Sequence, residues 1–133
     1  MQTDPDANEH ELASLLPLTP AVFHILLALA NGERHGYGIL QEIAAITHAQ
    51  RRIRPGTLYR SIKQMLAAGM IEEADERPDP TVDDERRRYY RLTAFGRQVA
   101  LAEAQRLAQL VHEAEVRRLL PGMAGTPGIE GGG

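Results

Sequence analysis

From residue 55 to residue 69 the chain reads Pro-Gly-Thr-Leu-Tyr-Arg-Ser-Ile-Lys-Gln-Met-Leu-Ala-Ala-Gly. Wound as a helix, this stretch puts Leu58, Ile62, Met65 and Leu66 on one stripe and leaves Tyr59, Arg60, Lys63 and Gln64 pointing away from it. A guanidinium, an ammonium, a carboxamide and a phenol on one side of a helix, with no carboxylate among them, suit a duplex of nucleic acid. Arg60 offers two parallel donors that match guanine O6 and N7, and Gln64 offers the donor–acceptor pair that matches adenine. Thr57 and the amides of the first turn suit a phosphate, helped by the positive end of the helix dipole. Tyr59 brings a hydroxyl for phosphate and a ring for sugar or a thymine methyl. Just upstream stand Arg51, Arg52 and Arg54, and every charged residue from Thr47 to Ile71 is basic. A second group, Arg86-Arg87-Arg88, can reach a minor groove or its phosphates. Asp83, Asp84 and Glu85 precede it directly, so neutralisation in a solvated loop is the competing reading.

Other chemistries find little to work with. The chain has no cysteine, which removes disulfides, thiolate metal sites and cysteine nucleophiles, and fits a cytoplasmic location. Its five histidines, His10, His24, His35, His48 and His112, share no ligand spacing. No metal is expected, nor is a cofactor. His35, beside Gly36-Tyr37, is expected to support the turn there. There is no phosphate-cradling glycine loop, no nucleophile elbow and no supported triad, so no catalytic residue is assigned and the protein is not expected to be an enzyme. The carboxylates between Glu72 and Glu85 fall in a hairpin too loose to hold a general acid and base, and read as solubility charge.

The elements that must position the basic face follow from capping and periodicity. Thr19-Pro20 starts a helix with a hydroxyl cap and an N1 proline. Phe23, Leu26, Leu27 and Ala30 follow at helical spacing, and Asn31-Gly32 ends the helix. A second helix runs from about Tyr37 to Ile46, with Ile39, Ile43 and Ile46 on one face and Leu40 beside them; Gly36 and Gly38 frame its start. The third helix is the one carrying Arg60. After Gly69 the period changes to two: Met70-Ile71 leads into a strand, and Arg88-Tyr89-Tyr90-Arg91-Leu92 reads as its return partner. Three helices followed by a two-stranded hairpin is the winged-helix order, a variant of helix-turn-helix. Thr93 then caps a long helix reaching about Leu120. The fold class is mainly α with a small β-hairpin, a winged helix-turn-helix plus a long C-terminal dimerisation helix.

Its 133 residues make one domain. Residues 1–17 form an acidic extension, helical at most for a turn; 18–92 form the winged helix; 93–120 the last helix; 121–133 a Gly/Pro-rich tail with almost nothing to bury, expected to be disordered. No apolar run approaches the roughly 18 residues of a membrane span, and the N-terminus lacks the build of a secretory signal. The net charge of −3 is mildly acidic for a DNA-binding domain. The acids, however, cluster at Asp4 to Glu11 and Glu72 to Glu85, away from the basic stretch, and DNA would meet only one surface. The last helix carries more apolar surface than its own small domain can cover. Phe95, Val99, Leu107, Leu110, Val111 and Ala114 are the expected contacts with a second copy, Leu107, Leu110 and Ala114 at coiled-coil spacing.

Three segments in order resemble PadR-type transcriptional regulators. They are Leu-Thr-Pro-Ala-Val-Phe-His-Ile-Leu-Leu-Ala-Leu with the following Gly-Glu-Arg-His-Gly-Tyr-Gly-Ile, the Pro-Gly-Thr-Leu-Tyr-Arg helix through Gly-Met-Ile, and Arg-Arg-Tyr-Tyr-Arg-Leu-Thr-Ala-Phe-Gly-Arg. The match spans about Leu18 to Leu120. The resemblance implies a homodimer that binds double-stranded DNA at a palindromic operator and usually represses, with the helix holding Gly56 to Gln64 in the major groove. It also implies room for a small-molecule effector at the dimer interface. The drug-binding members use an aromatic platform on the last helix, typically tryptophan; this chain has no Trp, and only Phe95 in that helix. The single short last helix resembles the compact subgroup. A winged helix serving protein interaction or small-molecule sensing without DNA binding is the alternative.

Overall fold

The structure is a computed structural model and describes residues 11–50, 52–74 and 88–121. Residues 11–15 form a short helix, α1. It is followed by α2 (Pro20–Leu29), β1 (Arg34–His35), α3 (Gly36–Ile46), α4 (Pro55–Ala67), β2 (Ile71–Glu73), β3 (Tyr89–Leu92) and α5 (Ala94–Val116). This is a winged helix-turn-helix with a long last helix. The expected hairpin is part of a three-stranded antiparallel sheet in the order β1-β3-β2. The extra strand is two residues long, Arg34 opposite Tyr90 and His35 opposite Tyr89, too short for any alternation to announce it.

The helix starts are those the capping residues dictate. Thr19 Oγ1 accepts from the Val22 amide at 3.3 Å, and Pro20 stands where an amide would have no acceptor. His35 caps α3, its Nδ1 accepting from the Gly38 amide at 2.9 Å while its ring meets Tyr89 edge-on at 5.2 Å. Thr93 caps α5 by accepting from the Gly96 amide at 2.9 Å.

The core gathers Ile25, Leu26, Ala28 and Leu29 of α2, Ile39 and Ile43 of α3, Leu58, Ile62 and Met65 of α4, with Met70, Ile71, Tyr90 and Val99. Each fully buried aliphatic side chain contributes about 1.5–3 kcal/mol. The buried side of α2 differs from the expected Phe23, Leu26, Leu27 and Ala30: Ile25, Ala28 and Leu29 join Leu26, and Ala30 is exposed. The reason is that α2 is central. It packs against α3, α4, α5 and β3, and a helix apolar all round carries no single stripe to read.

The last helix ends sooner than expected, at Val116, with Arg118 in the left-handed region at φ 62° and its amide donating to the Glu115 carbonyl. Two expected interface residues belong to the protein's own core. Val99 is fully buried, and Phe95 is half-buried against the same cluster. The proximal half of α5 lies on its own domain through Gly96, Val99 and Glu103, while Leu101 on its other side is exposed. Farther along, Leu110 and Val111 are exposed at 54% and 41%, and Leu107 and Ala114 are half-buried.

Glu103 is buried, and its sequence neighbourhood gave no hint of it. Its carboxylate accepts from both Nε and Nη2 of Arg106, at 2.7 and 2.9 Å, and from the Leu18 amide at 3.2 Å. These hydrogen bonds, the Arg106 ones foremost, outweigh desolvation and hold its pKa below the ordinary carboxylate value. The segment entering α2 is thereby fastened to α5.

Candidate nucleic-acid interface

Between α3 and α4 the described residues are 47–50 and 52–54. Thr47 returns its hydroxyl to the Ile43 carbonyl at 2.8 Å, and His48 and Ala49 both take positive φ, 54° and 63°. Two consecutive left-handed residues end the path of α3 sharply. Arg54 is the N-cap of α4 and makes no side-chain cap bond; Pro55 follows at N1. The first intrahelical bond is Leu58 N to Arg54 O at 2.9 Å, so the amides of Gly56 and Thr57 lie ahead of the helical ladder. That is the geometry in which a helix start accommodates an anion.

Leu58, Ile62 and Met65 are buried and Leu66 half-buried, which turns Arg60, Lys63 and Gln64 outward and exposed on successive turns. Arg52 and Arg54 are exposed beside the helix start, and Thr57 is half-buried. Among the described residues, Arg52, Arg54, Arg60, Lys63 and Gln64 take no side-chain partner. Cations elsewhere are engaged: Arg34 with Glu42, Arg91 with Glu72 and Arg106 with Glu103.

Tyr59 departs from the expected outward position. It is half-buried against the core, and its ring lies so close to Gly36 that a Cβ there would run into the phenol oxygen and stand 2.8 Å from the ring carbon that bears it. The ring therefore faces the start of α3 rather than a groove. Ser61, on the same helix, is buried and was not singled out by the sequence; a small side chain at that position allows α4 to approach its neighbours closely.

The hairpin is laced by opposite charges. Glu72 stands directly across from Arg91 and accepts from its Nε at 2.9 Å; Glu73 lies 3.4 Å from Arg88. Arg88 is thus tied to the wing, though an exposed pair of this kind contributes only about 0–1 kcal/mol. Arg51, Arg86 and Arg87 lie outside the described residues, as do the hairpin tip, most of the acidic N-terminal extension and nearly all of the expected tail. Among the described residues no three metal-ligating side chains come together, and no helix is long and apolar enough to cross a membrane.

Residues 25–102 match the model of the Transcriptional regulator PadR-like family. Transcriptional regulator Rv3488 of Mycobacterium tuberculosis is 32% identical over 90 residues, covering 68% of this chain and 78% of that protein. Among solved structures, a PadR family transcription regulator from hypervirulent Clostridium difficile superposes with a TM-score of 0.60 at 20% identity, covering 73% of this chain and 96% of the other. PadR of Bacillus subtilis, solved in complex with operator DNA, superposes with a TM-score of 0.55 at 21% identity over 65% of this chain and 47% of its own.

Proposed function

The chain belongs to the PadR-like family of transcriptional regulators, and on that premise we propose that it binds double-stranded DNA sequence-specifically as a homodimer and represses from a palindromic operator. The observation that carries the reading is the exposed, acid-free face of α4, whose cations and carboxamide take no partner among the described residues. A buried stripe anchors the opposite side, so the face is held rigidly enough to enter a major groove. That B. subtilis PadR, of the same fold, was solved in complex with operator DNA supports DNA as the partner.

In this reading 18–92 is the DNA-binding domain, 93–120 the dimerisation helix, 1–17 an extension and 121–133 a tail. Arg60 pairs with guanine and Gln64 with adenine. Arg51, Arg52, Arg54 and Lys63 neutralise phosphates, and Thr57 with the first-turn amides holds another. Arg86, Arg87 and Arg88 follow the backbone from the wing, Arg88 exchanging Glu73 for phosphate. Tyr59 contributes by packing on Gly36, which braces α4 against the start of α3. The dimer forms through the distal half of α5, where Leu107, Leu110, Val111 and Ala114 lie beyond the reach of the proximal core. An effector of unidentified chemistry would act by changing how the two copies meet.

The test is a mobility shift of purified protein on fragments from its own upstream genomic region, with excess competitor DNA, at two salt concentrations. A competitor-resistant, salt-sensitive shift at one dimer per site is expected. Folded, dimeric protein that shifts nothing at either salt would overturn the proposal in favour of a protein-interaction module.

A further inference from the structure

Where α4 ends, the wing begins and α5 starts, one small knot of contacts holds all three. Gly69, at φ 79°, turns the chain out of α4, and the Met70 amide returns to the Met65 carbonyl at 3.0 Å. The Thr93 amide donates to the Met70 carbonyl at 3.1 Å. Its hydroxyl lies 2.5 Å from the Gly69 carbonyl and 3.0 Å from that of Met70, and accepts from the Gly96 amide. Gly96 approaches the same peptide so closely that a Cβ would run into the Met70 oxygen and sit 2.8 Å from its carbonyl carbon. Arg97, the next residue, donates to the Ala30 carbonyl at 3.3 Å, fixing the same turn to the end of α2.

Beyond this joint α5 is held again at Val99 and Glu103, and past Glu103 it runs out of its own domain, with Leu110, Val116 and Leu119 exposed. A helix clamped at one end and associating at the other is a lever. The free stretch from Glu103 to Ala114 is about 16 Å long, so a tilt of about 10° passed on from the joint moves its far end by about 3 Å. One base-pair step is only about 3.4 Å. A small angular error at the joint therefore displaces a recognition helix by about a base-pair step.

We infer that Thr93 and Gly96 are positioning residues that fix the separation of the two α4 helices in the dimer, and hence the half-site spacing it accepts. The inference rests on the proposed DNA-binding and dimerisation roles of α4 and α5. The contact at Gly96 is with backbone, not with the end of a flexible side chain, so an added methyl is relieved only by moving α5 or the wing. Thr93→Val removes the hydroxyl bonds to Gly69 and Met70 while nearly keeping the shape.

The experiment uses the full chain. Half-sites are first obtained by selecting bound duplexes from a random pool, then placed in synthetic duplexes whose spacer runs from three base pairs shorter to three longer. The unsubstituted protein and Thr93→Ser should share a sharp optimum, at least tenfold over its neighbours. Thr93→Val and Gly96→Ala, folded by circular dichroism and dimeric by light scattering, should move that optimum by a base pair or more, or flatten it below threefold. Thr93→Val alone carries the test if Gly96→Ala does not fold. A folded, dimeric Thr93→Val that keeps the original optimum overturns the inference and leaves a knot that serves stability only. Failure of the unsubstituted chain to bind any duplex overturns the proposed function, and this inference with it.

Discussion

Arg60 sits midway along α4, one turn beyond Thr57 and one before Gln64, exposed and without a partner among the described residues. If it reads a base, Arg60→Ala costs about 1–3 kcal/mol on the preferred sequence and abolishes the preference at one base position. If Arg54, at the helix start, meets phosphate, Arg54→Ala should instead weaken binding to every sequence alike. Competition binding against duplexes differing at single positions separates the two; an Arg60→Ala protein with unchanged preference would remove Arg60 from base reading. Residue types and their helical phase make this face legible in the sequence itself. Tyr59 is not legible in the same way. Its phase on α4 points it away from the core stripe, but the missing side chain at Gly36 opens a bed for the ring on a different helix. Such a pairing joins residues far apart in sequence, and neither helix alone records it.

At the scale of elements, caps and period changes place α2, α3, α4, the hairpin and α5, since Thr19, Pro20, Gly69 and Thr93 act within a few residues of themselves. The two-residue strand β1, the buried side of α2 and the early end of α5 depend on the tertiary arrangement. Glu103 is the clearest case. An acid in the middle of a mixed helix reads as surface, yet it is buried, paired with Arg106 on its own helix and joined to Leu18 through that residue's backbone amide. Because its folded pKa is lowered, its contribution is present above the unfolded value near 4.5 and is lost as pH falls through the folded one. Glu103→Gln should therefore lower stability at neutral pH, by about 1–3 kcal/mol for weakened hydrogen bonds to a charged group. The difference from the unsubstituted protein should shrink in acid. Urea midpoints between pH 3 and pH 7 would show this, and a gap independent of pH would contradict the role of the ionised carboxylate.

Across the whole molecule, charge is sorted rather than balanced. The chain is net acidic, but acids pair within the wing, on α3 and along α5, while the basic residues before and along α4 remain unpaired among the described residues. Overall charge is thus a poor guide to this surface. The apolar side chains of α5 divide too: Val99 and Phe95 join the protein's own core, while Leu101, Leu110 and Val111 stay exposed. Total apolar content reveals that surplus, but not where along the helix it begins, because that depends on how far the small domain reaches. The central claim is that two copies of α4 enter successive turns of one duplex face. Since the chain has no cysteine, an Ala67→Cys substitution at the exposed end of α4 gives a single attachment point for a DNA-cleaving iron chelate. On a bound operator fragment, cleavage should fall in two symmetric clusters about one helical turn, roughly 34 Å, apart. Retained binding with cleavage spread evenly along the fragment, or with none, would contradict the account.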